Sequence, residues 1–282
     1  MKTLRYAVEA FFLILLLLFF RLLPLDAASW LGGRIMRSLG PWLKVHKVAQ
    51  NNLKRALPEK DALEVNRILT RMWDNLGRVI GEYPHLSRPL MKQRITLEGL
   101  EHLEVIKQSR QGSFFVSGHF ANWEIGPLAS ALYGLPLAVV YRAPNNPFAD
   151  WVIRTMRRSF SRAMYKKGRA GAQSILKSIK QGEAVGVLVD QKMNEGKPIS
   201  FLGQTAMTAT ATTAIAIKQQ VPLLLARVMR TKGAHFVVTL QPPVLYPPAT
   251  DSTQAMEELH TVFETWIKDQ PAQWFWVHKR WG

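Results

Sequence analysis

His119 and Glu124 are the two residues whose types and spacing best suit chemistry. They lie five positions apart in the segment Ser117-Gly118-His119-Phe120-Ala121-Asn122-Trp123-Glu124. An imidazole titrates near neutral pH, and a carboxylate beside it fixes its tautomer and stabilises its charged form. Such a pair can remove a proton from a hydroxyl group. The competing interpretation is a chance pair of surface polar groups, which is common at this spacing.

The sequence around the pair predicts a strand followed by a helix. Ser113-Phe114-Phe115-Val116 is a short apolar run between Gly112 and Gly118, which is typical of a buried strand. A helical pattern opens at Asn122 or its neighbour. On one continuous helix five positions turn by about 500°, so the two side chains would diverge by roughly 140°. A histidine at the strand end and a glutamate in the first helical turn can meet, and the helix amides would help to hold negative charge.

Composition excludes several kinds of site and favours an anionic partner. The 282 residues include no cysteine, so disulfides, a thiolate nucleophile, cysteine-based zinc sites, iron–sulfur clusters and a cysteinyl acyl-enzyme are excluded. Lys plus Arg number 37 against 20 Asp plus Glu, a net charge of +17, which indicates nucleic acid, anionic lipid or an acidic protein. No nucleic-acid-binding motif accompanies the charge. With nine Trp and an apolar N-terminus, a membrane surface fits better.

The N-terminus predicts a membrane anchor. Ala10 to Phe20 is an unbroken apolar run, and snorkelling of Arg5 and Arg21 would extend it to residues 4–25. A secretory signal peptide is the alternative. Trp and basic residues among Leu and Ile follow, which is typical of an interfacial segment. We therefore divide the chain into a membrane anchor at residues 1–25, an interfacial amphipathic segment at 26–60 and a catalytic domain at 61–282.

Strands and helices alternate through the rest of the chain, which predicts an α/β fold with a central mixed, partly parallel sheet flanked by helices. We expect strands at 95–99, 113–116, 137–141, 184–190, 223–229 and 235–240, and helices at 62–83, 101–108, 147–160, 170–180, 206–219 and 253–268. Active residues of such sheets gather at strand ends, where His119, Arg142 and Asp190 fall.

Four further residues are candidates for substrate binding. Arg142 can anchor a phosphate or a developing oxyanion through its planar fork of donors, or it is a solvated surface arginine. Lys167, beside Gly168, is a weaker candidate for an anionic group. Asp190 either organises the basic site or caps the next loop. Asn122, between His119 and Glu124, is the fourth.

Other residues have plausible structural interpretations. Trp274, Trp276 and Trp281 suit either an amphipathic edge at the lipid headgroups or the core. His278 is a second candidate base or a structural histidine. Ser117 lacks the Gly-x-Ser-x-Gly turn of a serine hydrolase. No His-Glu-x-x-His or comparable set supports a catalytic metal.

Seven sequence blocks in order resemble the late acyltransferases of lipid A biosynthesis, the lauroyl/myristoyl acyltransferase family of Gram-negative inner membranes. The blocks are residues 73–78, 98–101, 117–124, 141–147, 188–192, 201–203 and 273–281, and the similarity covers nearly the whole chain. Two positions depart from what the resemblance leads one to expect. Glu124 stands where many of the wider acyltransferases carry Asp, although the lipid A branch commonly uses Glu, and Leu202 stands where a second Phe is expected.

The resemblance implies a glycerolipid-acyltransferase-like fold and transfer of a fatty acyl group to a hydroxyl of a lipid A precursor. The implied donor is an acyl carrier protein thioester, with no cofactor and no acyl-enzyme. His119 would be the general base, and Glu124 would orient and polarise it. The implied partners are acyl carrier protein, an anionic glycolipid acceptor and membrane lipids, on the cytoplasmic side of the bacterial inner membrane. The alternatives are acyl transfer to another anionic glycolipid or phospholipid, a lipid hydrolase or thioesterase, and a non-catalytic membrane scaffold.

Overall fold

The computed structural model describes residues 2–281, and four long helices precede its sheet. They are α1 (Lys2–Leu22), α2 (Leu25–Leu39), α3 (Val45–Ala56) and α4 (Ala62–Glu82). Helix α4 begins at a capping box, in which the Asp61 side chain accepts from the Glu64 amide and the Glu64 side chain accepts from the Asp61 amide. It ends at Glu82, and a short 3-10 turn containing Pro84 follows.

Seven strands form one sheet, and they are β1 (Ile95–Glu98), β2 (Ser113–Ser117), β3 (Leu137–Tyr141), β4 (Ser161–Lys166), β5 (Ala184–Leu188), β8 (Leu223–Arg230) and β9 (Phe236–Leu240). Their order across the sheet is β1-β9-β8-β2-β5-β3-β4. Strands β8, β2, β5, β3 and β4 are mutually parallel, and β9 pairs antiparallel to β8. The carboxyl ends of five neighbouring strands therefore share one edge of the sheet.

The remaining helices cover the sheet. They are α5 (Leu100–Ser109), α6 (Ile125–Leu132), α7 (Pro147–Arg157), α8 (Arg169–Lys180), α9 (Ala211–Gln219) and α10 (Ser252–Asp269), and a hairpin of β6 (Lys197–Phe201) and β7 (Gln204–Thr208) packs beside α10. Two apolar clusters lie on the sheet. One includes Trp73, Phe114 and Phe263, and the other includes Phe115, Ile125 and Phe236. Because adjacent residues of a strand point to opposite faces, Phe114 and Phe115 enter different clusters.

Helices α2 and α4 approach closely because glycines face each other at their crossing. A Cβ added to Gly77 would lie 2.0 Å from the Gly32 carbonyl oxygen, and one added to Gly81 would lie 2.2 Å from that of Ala28. Helix α3 adds Ala49, Leu53 and Ala56 to the first cluster. Residues 26–60 therefore pack into the same body of the molecule as α4 and the sheet.

Helix α1 packs against the body at both of its ends. The Asn146 side-chain amide donates to the Tyr6 carbonyl oxygen at 2.9 Å, and the Phe20 carbonyl oxygen lies 2.8 Å from His85 Nε2. Its outward face is apolar and exposed, with Leu4, Val8, Phe11, Phe12, Leu15, Leu18, Phe19 and Leu22. Among residues 2–281, α1 is the one helix long and apolar enough to cross a membrane.

The predicted fold class and most predicted elements are confirmed, whereas three strands are absent from the prediction. Strand β4 lies at the sheet edge with little apolar surface, so its alternation is weak. Strands β6 and β7 form a small hairpin, and β7 occupies part of the predicted helix at 206–219, which begins only at Ala211. The Ala and Thr residues of that stretch fit either structure, and pairing with β6 decides it.

The α2–α4 crossing generates a stability prediction. Gly77→Ala should lower the free energy of unfolding by about 1–3 kcal/mol, because the new methyl group meets backbone that cannot move aside without separating the helices. The measurement is thermal and denaturant unfolding in detergent. Gly126→Ala on α6 is the matched control, since its Cβ would lie 3.6 Å from Val228, an ordinary contact. Equal unfolding midpoints for the two variants would contradict the prediction.

Candidate functional site

Five charged or titratable residues lie at or just beyond the shared carboxyl edge of the parallel strands. Across the sheet they are Arg230 at β8, His119 after β2, Asp190 after β5, Arg142 after β3 and Lys167 after β4. The prediction that His119, Arg142 and Asp190 follow strand ends is therefore confirmed, and neighbouring parallel strands bring them to one edge.

Asp190 is the carboxylate bound to His119. Its Oδ1 lies 2.8 Å from His119 Nδ1, and its Oδ2 accepts from the His119 backbone amide at 2.7 Å and from Trp274 Nε1 at 2.8 Å. A carboxylate only accepts, so the imidazole hydrogen lies on Nδ1. Burial raises the pKa of Asp190, but its electrostatic attraction to His119 and these hydrogen bonds outweigh the effect of burial and bring that pKa to about 2.

The other ring nitrogen of His119 remains available as a base. Nε2 lies 3.2 Å from the side-chain amide nitrogen of Gln191, which fits a lone pair at Nε2 and the hydrogen at Nδ1. Trp123 and Phe275 flank the ring, with centroids 5.1 and 5.7 Å from the imidazole. The His119 side chain is 16% exposed, so the site is partly shielded from water but open.

Glu124 pairs with an arginine that the sequence did not single out. Arg157, at the end of α7, donates through Nε to Glu124 Oε2 at 2.8 Å and through its second terminal nitrogen to Oε1. Glu124 is 3% exposed. Burial lowers the pKa of Arg157, but the charge and hydrogen bonds of Glu124 outweigh it and raise that pKa above its ordinary value.

The predicted contact between Glu124 and His119 is therefore corrected. The carboxylate that fixes the imidazole is Asp190, and Glu124 is held by Arg157. Glu124 is the N-cap residue of α6, which begins at Ile125, and the chain turns between it and the end of β2. This turn separates two side chains that we expected to meet. Sequence offered no signal for Arg157 among 37 Lys and Arg residues.

An apolar cavity is lined in part by this ion pair. The cavity and the open solvent space at its mouth together have a volume of about 710 Å³. Glu124 and Arg157 contribute its charged groups, and Ser117 and Trp123 connect it to the surroundings of His119. Apolar side chains of the sheet and α6 form the rest, including Phe115, Pro127, Leu137, Val139, Val187, Leu188 and Val238.

Arg142 and Lys167 form a basic pair at the same edge. Both are exposed, and neither side chain has a hydrogen-bond or ion-pair partner within the described residues 2–281. Although Lys167 is exposed by surface area, the surrounding protein removes part of its hydration, and this desolvation and then the charge of Arg142 lower the pKa of Lys167. Two cationic side chains without a carboxylate partner are suited to binding an anionic ligand. Glycine at position 168, with φ of +127°, follows Lys167 and opens α8.

Asn122 and Asp190 have protein partners in place of the substrate contacts that we predicted. Asn122 is fully buried; its amide donates to Glu82 Oε2 at 2.9 Å, and its carbonyl oxygen accepts from the Glu124 backbone amide at 3.3 Å. Asp190 is 2% exposed and bound to His119. Asn122 therefore stabilises the loop, and Asp190 orients the imidazole of His119.

The C-terminal aromatic residues belong to the core. Trp274, Trp276 and Trp281 are 3%, 0% and 7% exposed, so the predicted headgroup edge is wrong and the core alternative holds. Burial lowers the pKa of His278 to about 4, and its Nε2 accepts from the Lys192 backbone amide at 3.0 Å. A structural role therefore explains His278.

Comparison with known proteins decides the family. The family model described as bacterial lipid A biosynthesis acyltransferase matches residues 1–282. The chain belongs to this family. It is therefore an acyltransferase that acts in lipid A biosynthesis, as the sequence blocks indicated.

Three curated relatives of this acyltransferase come from Escherichia coli (strain K12). It is 28% identical to lipid A biosynthesis palmitoleoyltransferase over 272 residues, 92% of this chain and 86% of the relative. It is 25% identical to lipid A biosynthesis lauroyltransferase, covering 83% and 78%, and 22% identical to lipid A biosynthesis myristoyltransferase, covering 81% and 72%. The names specify three different acyl groups, so family membership leaves the acyl group of this acyltransferase open.

The His119–Asp190 contact generates a prediction about activity. Asp190→Asn should lower kcat at least about 10²-fold, because an amide at this position no longer holds the imidazole in one tautomer or stabilises its charged form. KM should change far less. The measurement is steady-state acyl transfer. Asp269→Asn, which alters an exposed ion pair with Arg227, is the control. Full activity of Asp190→Asn would show that the contact is only structural.

Proposed function

We propose that this acyltransferase moves a fatty acyl group from an acyl carrier protein thioester to a hydroxyl of a lipid A precursor, with His119 as general base and no cofactor. The observation that carries the proposal is the oriented imidazole. Asp190 accepts the hydrogen of His119 Nδ1, which leaves the lone pair on Nε2. An apolar cavity lies beside Ser117 and Trp123, which are close to His119.

In the proposed reaction, His119 Nε2 takes the proton of the acceptor hydroxyl while the oxygen attacks the thioester carbonyl carbon. The tetrahedral intermediate then collapses, the C–S bond breaks, and the imidazolium returns the proton to the departing thiolate. Asp190 stabilises the imidazolium in between. An ester and a free thiol result, so the step needs no acyl-enzyme and no external acid.

Arg157 is the group that we propose for the developing oxyanion. Its guanidinium carries five donors, and the bonds to Glu124 use only part of them. Donors aimed at developing charge in a site shielded from water stabilise a transition state strongly. In this proposal Glu124 acts by holding Arg157 at the cavity, and its direct contact with His119 is not required.

The apolar cavity supports binding of the acyl chain, because its lining is almost wholly hydrocarbon around one ion pair. Burial of each methylene contributes about 0.8 kcal/mol, so a chain that fits the cavity is favoured over one that is too short. Leu137 and Gly186 both line the cavity, and a Cβ added to Gly186 would lie 3.2 Å from Leu137, so larger side chains at these positions would shorten the chain that fits.

Arg142 and Lys167 support an anionic acceptor. They follow neighbouring strands β3 and β4 and have no carboxylate partner within residues 2–281. We propose that they bind a phosphate of the lipid A precursor. The net charge of +17 would also favour an acidic donor protein and anionic lipid.

The exposed apolar face of α1 supports attachment to the inner membrane. Trp30 and Trp42 are also exposed, and Arg34, Arg37 and Lys44 lie in the same N-terminal segment, which suits anionic headgroups. The acyl carrier protein donor inferred above is cytoplasmic, so we place the catalytic edge on the cytoplasmic side.

His119→Ala and Glu124→Ala test the proposed chemistry. Each should lower the rate at least about 10²-fold, since one removes the base and the other releases Arg157. The assay follows loss of acyl carrier protein thioester with and without the lipid acceptor, and mass spectrometry identifies the acylated product. His102→Ala on the surface helix α5 is the control. Thioester loss that needs no acceptor would instead indicate a thioesterase, and near-normal transfer by a variant would remove that residue from the mechanism.

Arg142 variants test the proposed phosphate site. Arg142→Ala should raise KM for the acceptor more than Arg142→Lys does, and lysine should restore binding only in part, because it keeps the charge without the bidentate geometry. KM for the acyl donor should stay unchanged in both variants. The control is Arg67→Ala, an exposed arginine on α4. If the Arg142 variants and the control have the same kinetics, Arg142 is a solvated surface charge.

A further inference from the structure

A polar cluster, buried at Glu82 and Asn122 and partly buried elsewhere, joins α4 and β8 to the loop between His119 and Glu124. We call it the Arg230 cluster, and it consists of Asn75, Glu82, Asn122, Arg230 and Gln273. Glu82 is fully buried, and the Arg230 side chain is 9% exposed. Asn75 lies within the sequence block at residues 73–78 that resembles the family, and the proposed reaction gives that block no part.

Arg230 connects the other members. Its guanidinium donates to both carboxylate oxygens of Glu82, with 3.0 Å to Oε2, and its Nε donates to Asn75 Oδ1 at 3.0 Å. Its backbone amide donates to Gln273 Oε1 at 2.8 Å, and its backbone carbonyl accepts from Gln273 Nε2 at 3.0 Å. One arginine therefore binds three side chains on two segments of the chain, α4 and the C-terminal segment that contains Gln273.

Each of these three neighbours holds the loop. The Gln273 carbonyl oxygen accepts from the Ala121 amide at 2.7 Å. Asn75 Nδ2 donates to the Ala121 carbonyl oxygen at 3.0 Å. Glu82 accepts from Asn122, whose own carbonyl oxygen binds the Glu124 amide. The backbone of Ala121 is thus held on both sides.

Ala121 has an unusual backbone conformation. Its φ is +47°, in the left-handed region that residues with a Cβ rarely adopt. Such a conformation persists where surrounding contacts over-determine it. Ala121 lies between His119 and Glu124, so its conformation sets the direction of one side chain relative to the other.

We propose that Asn75, Glu82 and Arg230 are positioning residues, which hold Ala121 in its left-handed conformation and so place His119 relative to the Glu124–Arg157 pair. None of the three needs to touch substrate. The inference rests on the proposed function, because it takes His119 and Glu124 to act on the same reacting groups.

Two substitutions of Asn75 test the proposal. Asn75→Ala removes the bonds to Ala121 and Arg230. Asn75→Asp keeps an acceptor for Arg230 but loses the donor to the Ala121 carbonyl. We expect both to lower kcat about 10- to 100-fold, the cost of misplacing reacting groups. KM for donor and acceptor should stay within about twofold, because substrate binding is untouched. Asn66→Ala, exposed on the same helix, is the matched control and should match the unsubstituted enzyme.

Hydrogen exchange gives a readout that is independent of activity. The Ala121 amide, bound to Gln273, should exchange faster in both Asn75 variants, in a peptide spanning residues 118–124, while a peptide spanning β9 keeps its protection. Kinetics and exchange are measured well below the thermal midpoint of each variant. A purely structural role would speed exchange throughout and would not separate kcat from KM.

The outcomes are distinguishable. Wild-type kcat in a folded Asn75 variant, or a rise in KM with kcat unchanged, overturns the positioning role. If Asn75→Ala does not fold, Asn75→Asp decides, and if neither folds the residue serves stability and the inference is wrong. Absence of acyl transfer by the unsubstituted enzyme and by Asn66→Ala would instead overturn the proposed function, and loop exchange would still report whether Asn75 fixes Ala121.

Discussion

The contact between Asp190 and His119 is the constraint on which the site depends. The buried carboxylate binds both the backbone amide and the imidazole of one residue, and the Trp274 indole supplies a third donor. This arrangement requires β2 and β5 to be adjacent and parallel, so that residues two positions beyond each strand meet. It also requires a covered edge, since water would compete for the carboxylate. The aromatic core at the C-terminus provides that cover.

A second buried charge pair lies on the other side of the same loop. Glu124 and Arg157 are both largely removed from water, and burying two charges costs several kcal/mol, which attraction offsets only in good geometry. Removing one partner leaves the other uncompensated, at about 3–5 kcal/mol. A pair retained in an apolar cavity at this cost fits a role in the reaction better than a role in stability alone. Activity and unfolding measured on the same variants separate the two roles.

The N-terminal helices connect this edge with an apolar surface. Helix α1 is held at one end by Asn146, the N-cap of α7, and α7 carries Arg157 at its other end. Helix α2 meets α4 through facing glycines, and α4 carries Asn75 and Glu82. The exposed apolar face therefore lies on elements that also support the site.

The sequence by itself determined much of the fold and one half of the site. Buried strands such as 113–117 and amphipathic helices such as α4 have strong local periodicity, and His119, Arg142 and Asp190 could be placed at strand ends because parallel strands share an edge. Tertiary structure alone decided which carboxylate binds His119. Asp190 is 71 residues away and Glu124 only five, yet strand pairing brings the distant one into contact while the turn at Ala121 carries the near one to Arg157. Burial of the C-terminal tryptophans was likewise undecided, because their amphipathic pattern fits an interface or a core until the hairpin and α10 pack over them.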